Sequence, residues 1–229
     1  MTIVEKTVER LSLPIKCMEN EDDMYEYKYT DFFIELIKKC KSFVDVGANY
    51  GYYTCLAHEN MPKNSTIYSF EANPMKFGNL YINNRIYNSK SNFNTTMKCI
   101  AISNTTEKNI KFYLPDDDNQ CSGGLYHNRN HNDKYIEVET DTLDNIIKDN
   151  PVDLIKIDVE GAEVEVLEGA INIIKNQKPI IMMEVHKFVP ELDINKLSNI
   201  LNSNGYKFIQ LASQWYIFIN EDKKTRGLI

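Results

Sequence analysis

Three short stretches of this chain hold residue types and spacings that do chemistry. The first is Val44-Asp45-Val46-Gly47-Ala48-Asn49-Tyr50-Gly51, where a β-rich run breaks at a glycine and a helical segment follows. Without a Cβ, Gly47 permits a tight turn and Gly51 lets the helix begin close to a ligand. The N–H groups freed at such a helix start, together with the positive end of its dipole, suit an anionic group. The second is Glu71, which ends the next β-rich run. An acidic residue there can accept both hydroxyls of a ribose. The third runs from Asp153 to Glu163, an apolar strand followed at once by Asp158, Glu160 and Glu163. These carboxylates repel one another unless a cation, a proton or a hydrogen-bond network offsets the charge, and such clusters mark functional sites. Glu163 also reads as a structural acidic residue in a first helical turn. Further on, Ile180-Ile181-Met182-Met183 ends at Glu184-Val185-His186, and the period of two puts Glu184 and His186 on one face, at the rim of the same pocket.

The glycine spacing separates two kinds of nucleotide ligand. A dinucleotide fingerprint is G-x-G-x-x-G. Here the pattern is Gly47-x-x-x-Gly51, with Asp45 two residues before the first glycine. A carboxylate at Asp45 repels a dinucleotide phosphate and suits a ligand with a cationic end. The anion at the turn then reads as the methionine carboxylate of S-adenosylmethionine. An ordinary strand-turn-helix with convenient glycines explains the stretch taken alone. The pairing with Glu71 at a neighbouring strand end favours the ligand, because open α/β sheets bind ligands at the carboxyl ends of their strands.

The elements needed to position these residues follow from hydrophobic period. Thr30 or Asp31 is suited to cap a helix whose face carries Phe33, Ile34 and Ile37. Strands are expected at 43–46, 66–70, 94–102, 152–157 and 179–185, and helices at 52–58, 75–87, 142–148, 162–175 and 194–204. Alternation at 108–114 and 135–138 predicts a β-hairpin bounding a polar loop. Residues 206–211 and 215–219, joined by a short turn, predict a closing antiparallel pair. Strands alternating with helices imply a parallel sheet covered on both faces. The expected fold is thus α/β: the Rossmann-like, doubly wound, mostly parallel sheet of class I methyltransferases, with one antiparallel edge-region strand and a hairpin-and-loop insertion. Residues 1–41 are expected to be a partly helical lead-in, and 42–229 the main domain with its insertion at 105–139.

Composition narrows the function. The chain has 229 residues, 42% of them hydrophobic and 26% charged, with a net charge of −7. That length and hydrophobic content suit one core, and the acidic balance disfavours nucleic-acid partners. The cysteines, Cys17, Cys40, Cys55, Cys99 and Cys121, are odd in number and widely spaced, which fits reduced thiols in a cytoplasm. Glu5, Lys6, Glu9 and Arg10 interrupt the first twenty residues, which do not read as a signal peptide. No apolar run reaches membrane-spanning length, so no membrane partner is expected.

From about residue 42 to 219 the chain resembles the FkbM family of methyltransferases. The resemblance rests on Phe43 through Gly51, Phe70-Glu71-Ala72-Asn73-Pro74, Thr142-Leu143-Asp144, Val166-Leu167-Glu168-Gly169-Ala170, 179–186, and above all Ile155-Lys156-Ile157-Asp158-Val159-Glu160-Gly161-Ala162-Glu163. It implies S-adenosylmethionine as cofactor and methyl transfer to a hydroxyl of a sugar, a glycan or a small natural product. It also implies that Asp45, Gly47, Asn49 and Gly51 hold the methionine part, that Glu71 with Ala72 holds the ribose, and that Ala101, Ile102 and Ser103 border the adenine. Asp158 is expected to adjoin the cofactor, and Ser122 and Tyr126 of the insertion are expected to face the acceptor. Methylating an alcohol needs a base or a metal that lowers its pKa. The candidates are His186, Asp158, Glu160 and Glu184, with a neutral His186 positioned by Glu184 as the better base. Mg²⁺ held by Asp158 and Glu184 is the alternative. A protein or other small-molecule methyltransferase, a non-catalytic nucleotide-binding module and a dehydrogenase remain competing readings. A DNA adenine methyltransferase would need an Asn/Asp-Pro-Pro-Tyr/Phe turn where this chain has Asp158-Val159-Glu160-Gly161.

Overall fold

A computed structural model describes residues 3–6, 15–18, 27–115, 123–127 and 131–222 of the chain. The lead-in holds an antiparallel pair, β1 (Ile3–Lys6) and β2 (Ile15–Met18), and helix α1 (Tyr27–Ile37). The strand pair is absent from the sequence-based expectation. So is the helix start: α1 begins before Thr30, which lies inside the helix with its buried hydroxyl 3.2 Å from that of Tyr52. The ring of Tyr29 stacks on Trp215 with centroids 5.3 Å apart, a tertiary contact that anchors this first turn.

From there strands and helices alternate. They are β3 (Ser42–Val46), α2 (Tyr52–Asn60), β4 (Thr66–Glu71), α3 (Pro74–Ser91), β5 (Asn94–Cys99) and β6 (Ala101–Ile102). The insertion follows with β7 (Ile110–Pro115), β8 (His131–Val138) and β9 (Thr140–Asp141). The chain continues through α4 (Leu143–Ile147), β10 (Leu154–Ile157), α5 (Glu163–Gly169), α6 (Ile171–Gln177) and β11 (Ile180–Glu184), then α7 (Ile194–Ser203), β12 (Tyr206–Gln210) and β13 (Trp215–Asn220).

Seven strands form one sheet in the order β12-β13-β11-β10-β3-β4-β5. Only β13 runs against its neighbours, lying between β11 and β12. This is the doubly wound, mostly parallel sheet expected from the alternation. β7 and β8 pair as the predicted hairpin. Alternate residues of the central strands enter two different cores. Val44, Val46, Ile155, Ile157, Ile181 and Met183 lie in one, and Phe43, Leu154, Ile180, Met182 and Ile217 in the other. Each large aliphatic side chain so buried contributes about 1.5–3 kcal/mol, and these strands are apolar apart from Ser42 and Asp45 in β3, Lys156 in β10 and Glu184 at the end of β11.

One expected helix is two. The segment 162–175 breaks between α5 and α6. A Cβ on Gly169 would stand 2.0 Å from the Ser103 carbonyl oxygen, so two backbones meet there and the helix ends. The Asp144 carboxylate then accepts the Asn172 and Ile173 N–H groups at 3.0 Å each, capping the restart.

Candidate active site

The carboxyl ends of β3 and β4 build one half of the site. Gly47, Asn49 and Gly51 all have left-handed backbone, at φ 73°, 53° and 89°. At Gly47 a Cβ would fall 1.8 Å from the Asp158 carbonyl oxygen, so the turn lies directly against the loop that follows β10. Gly51 starts α2 with no side-chain cap, leaving first-turn N–H groups for another acceptor. Glu71 closes the turn from the next strand. Its two carboxylate oxygens accept the Asn49 and Asn73 N–H groups, each at 2.8 Å. Burial raises its pKa against the charge of Lys76 and these hydrogen bonds.

These residues fit S-adenosylmethionine. The uncapped start of α2 suits the amino acid's carboxylate. The Asn49 Oδ1 atom is buried with no hydrogen-bond partner and suits its ammonium. Each Glu71 oxygen retains a lone pair for a ribose hydroxyl.

Asp45 differs from its expected place. Its side chain is fully buried beneath the turn, not open to a ligand. It accepts the Thr54 hydroxyl at 2.8 Å and pairs with the Lys156 ammonium at 3.6 Å. The strand period explains this: Asp45 shares its face with Phe43, which points into a core. Ala72, Ala101 and Ile102 are buried as well. Ala72 and Ala101 pack with Phe112 and Val138, and Ile102 belongs to the main core. Ala101 and Ile102 pair with Thr140 and Asp141. The neighbouring Cys99 and Ile100, with Phe77, instead line a cavity of about 530 Å³.

The ends of β10 and β11 build the other half. The His186 ring is buried, and its Nδ1 lies 2.6 Å from Glu163 Oε1. Its Nε2 faces Glu160, Asp158 and Glu184, at 3.5, 3.9 and 3.9 Å. The Glu163 side chain, fully buried, also accepts the Gly161 N–H at 3.1 Å. Burial alone would lower the His186 pKa. The hydrogen bond to Glu163 and the charges of Glu160 and Asp158 outweigh it and push the value up to about 10. Burial also raises Glu160, to about 7, with Asp158 and Glu163 adding to the rise and His186 opposing it. Glu160 sits at φ 56°, a conformation that costs a side-chain-bearing residue of order 1–3 kcal/mol and that clusters at functional sites.

Two sequence-based readings of this half change. Glu163, not Glu184, orients the imidazole; Glu184 meets Nε2 only at 3.9 Å and accepts a hydrogen bond from Gln214. The neighbouring carboxylates also favour the charged form of His186 over the neutral one expected from sequence. Asp158, Glu184 and His186 each bring one potential ligand atom within 4.8 Å of the others. Of the insertion residues, Tyr126 donates to Glu165 of α5 at 2.6 Å, which brings that segment to the helix beside the cluster. Ser122 lies outside the described residues.

Lys156 has no role in the sequence-based site. Its ammonium lies 3.2 Å from Asp158, 3.3 Å from the Gly47 carbonyl and 3.6 Å from Asp45, in a strand otherwise made of leucine and isoleucine. A lysine inside such a run is the available signal, since lysine is almost never fully buried unless paired. Lys76, also buried, stands 5.4 Å from the Tyr50 ring near both Glu71 and Glu160.

A class I methyltransferase sheet with a glycine turn closed by Glu71 at one strand pair and a histidine–carboxylate cluster at the next defines the class. The methyltransferase FkbM domain family model matches residues 45–208, and the chain belongs to that family. Among solved structures, the chain is similar to a methyltransferase FkbM from Methylobacillus flagellatus KT, at TM-score 0.55 and 19% identity over 78% of this chain. This chain spans 43% of the length of that one. It is also similar to an O-methyltransferase from Bacillus cereus in complex with S-adenosylhomocysteine, at TM-score 0.51 and 10% identity over 88% of this chain and 82% of that one. At these identities the likeness is one of fold. A search of curated proteins found no match. Among the described residues, no helix is long and apolar enough to cross a membrane.

Proposed function

We propose that this chain transfers the methyl group of S-adenosylmethionine to a hydroxyl oxygen of a sugar, glycan or small natural product, with Glu160 as the base. The observation that carries the reading is Glu160 itself. It is held in left-handed backbone with its pKa pushed up to about 7, 3.5 Å from the His186 ring and two residues beyond Asp158, whose carbonyl lies against Gly47. When bound, the cofactor supplies a methyl group on a sulfonium, displaced in line. Gly47, Asn49 and Gly51 hold its amino-acid part, and Glu71 its ribose. Asp45 supports the turn from beneath. Glu160 is partly ionised near neutrality and accepts the acceptor's hydroxyl proton, close to the matching that favours general base catalysis. His186, charged and held by Glu163, stabilises the ionised Glu160 before transfer. Glu184 and Asp158 line the acceptor side, and Tyr126 is tied to Glu165 of the neighbouring helix.

The donor set fits Mg²⁺ poorly. Mg²⁺ takes oxygen ligands in near-octahedral geometry, and here the third potential ligand beside Asp158 and Glu184 is the His186 imidazole nitrogen. Activity lost in excess chelator and restored by Mg²⁺ would overturn the metal-free scheme. Calorimetry with S-adenosylhomocysteine and methyl transfer to a panel of sugar and glycan acceptors test the function. Binding with turnover on a hydroxyl acceptor is expected. Glu160→Gln should keep cofactor binding while lowering kcat about 10²–10⁴-fold. Binding without turnover on any acceptor would favour a non-catalytic module instead.

A further inference from the structure

Lys156 sits in β10 at the centre of the sheet, opposite Asp45 of β3 and Met182 of β11. It is 3% exposed. A core position of this kind holds an apolar side chain at less desolvation cost than an ammonium, so a retained charge calls for a task. Its surroundings supply one. An ammonium has three donors, and this one faces an atom in each of two turns. The Gly47 carbonyl at 3.3 Å belongs to the glycine turn after β3, and the Asp158 carboxylate at 3.2 Å to the loop after β10. Asp45 at 3.6 Å and the Tyr53 ring at 5.1 Å hold the ammonium from below. The two turns already touch through their backbones. Asp158 donates its N–H to the Val46 carbonyl at 3.1 Å, and Gly47 has no room for a Cβ beside the Asp158 oxygen.

We propose that Lys156 is a positioning residue that couples the cofactor turn to the acceptor-side carboxylates. Through one ammonium, a shift of Gly47 on cofactor binding is passed to Asp158, and a change at Asp158 is felt at the turn. The inference rests on the reading of the first turn as the cofactor side and of Asp158 as the acceptor side.

A double-mutant cycle on S-adenosylhomocysteine binding, read by calorimetry on the full chain, tests it. The two backgrounds are the natural chain and an Asp45→Asn/Lys156→Met variant, which removes both buried charges together. Asp158→Asn is expected to weaken binding about fivefold in the natural background, as for neighbours sharing one network, and less than about twofold in the other. Equal losses in both backgrounds would mean that Asp158 acts on the cofactor without Lys156, and would overturn the coupling. So would no loss in the natural background. A second measurement needs no change at Lys156. Asp158→Asn should speed hydrogen exchange of the peptide covering Gly47 to Gly51 in the ligand-free protein, and unchanged exchange there would overturn the coupling. If the natural chain ignores S-adenosylhomocysteine while the exchange effect is present, the cofactor reading fails and the coupling of the two turns stands.

Discussion

Replacing Glu163 by glutamine keeps the shape of the group that holds the His186 Nδ1 and removes its charge. In the structure that contact is 2.6 Å long and fully enclosed. Exchanging a hydrogen bond to a charged group, about 1.5–3 kcal/mol, for a neutral one, about 0.5–1.5 kcal/mol, loses about 1.4 kcal/mol. That difference is about tenfold in the proton affinity of the imidazole. The ring would still titrate above its ordinary value of 6.5, because Glu160 and Asp158 remain near Nε2. The sign for stability follows. The folded value of about 10 exceeds the unfolded one, so the contribution of His186 is complete below pH 6.5 and is lost as pH rises through 10. The natural chain should therefore melt at progressively lower temperature across that window, and Glu163→Gln should flatten the slope. The direct assay is proton NMR of the imidazole Cε1–H, tractable because the chain has four histidines. A His186 midpoint below 7 in the natural chain, or one unmoved by Glu163→Gln, would refute the account of the cluster.

Two other outcomes are expected. Gly47→Ala places a Cβ 1.8 Å from the Asp158 oxygen at φ 73°, so it should cost at least about 3 kcal/mol of stability in urea unfolding and lose S-adenosylhomocysteine binding. A variant that melts and binds as before would show that the two turns do not touch. Tyr126→Phe removes the hydrogen bond to Glu165, worth about 1–2 kcal/mol at a partly buried site. Faster proteolytic nicking within the insertion, with the melting temperature of the main sheet nearly unchanged, is the result that supports its anchoring role.

Much of this protein is written in local patterns. The largely apolar runs that become β3, β10 and β11 are buried on both faces, and their alternation with helical segments places them in a parallel sheet. Gly47 and Gly51 declare a turn because few other residues tolerate its backbone, and Glu71 follows at a strand end. The gathering of Asp158, Glu160 and His186 at strand ends is likewise legible, since the carboxyl ends of parallel strands share one edge. What local pattern does not carry is which group touches which. Asp45 reads as a ligand contact until the packing of β3 beside β10 encloses it with Lys156, 111 positions away in the chain. Glu163 reads as a helix-start carboxylate until β11 brings the His186 ring to 2.6 Å from it. Burial and charge proximity then favour the charged form of His186 and raise the Glu160 pKa, which is why the proposed base is Glu160. These are properties of distances between strands, and a sequence contains them only through the fold.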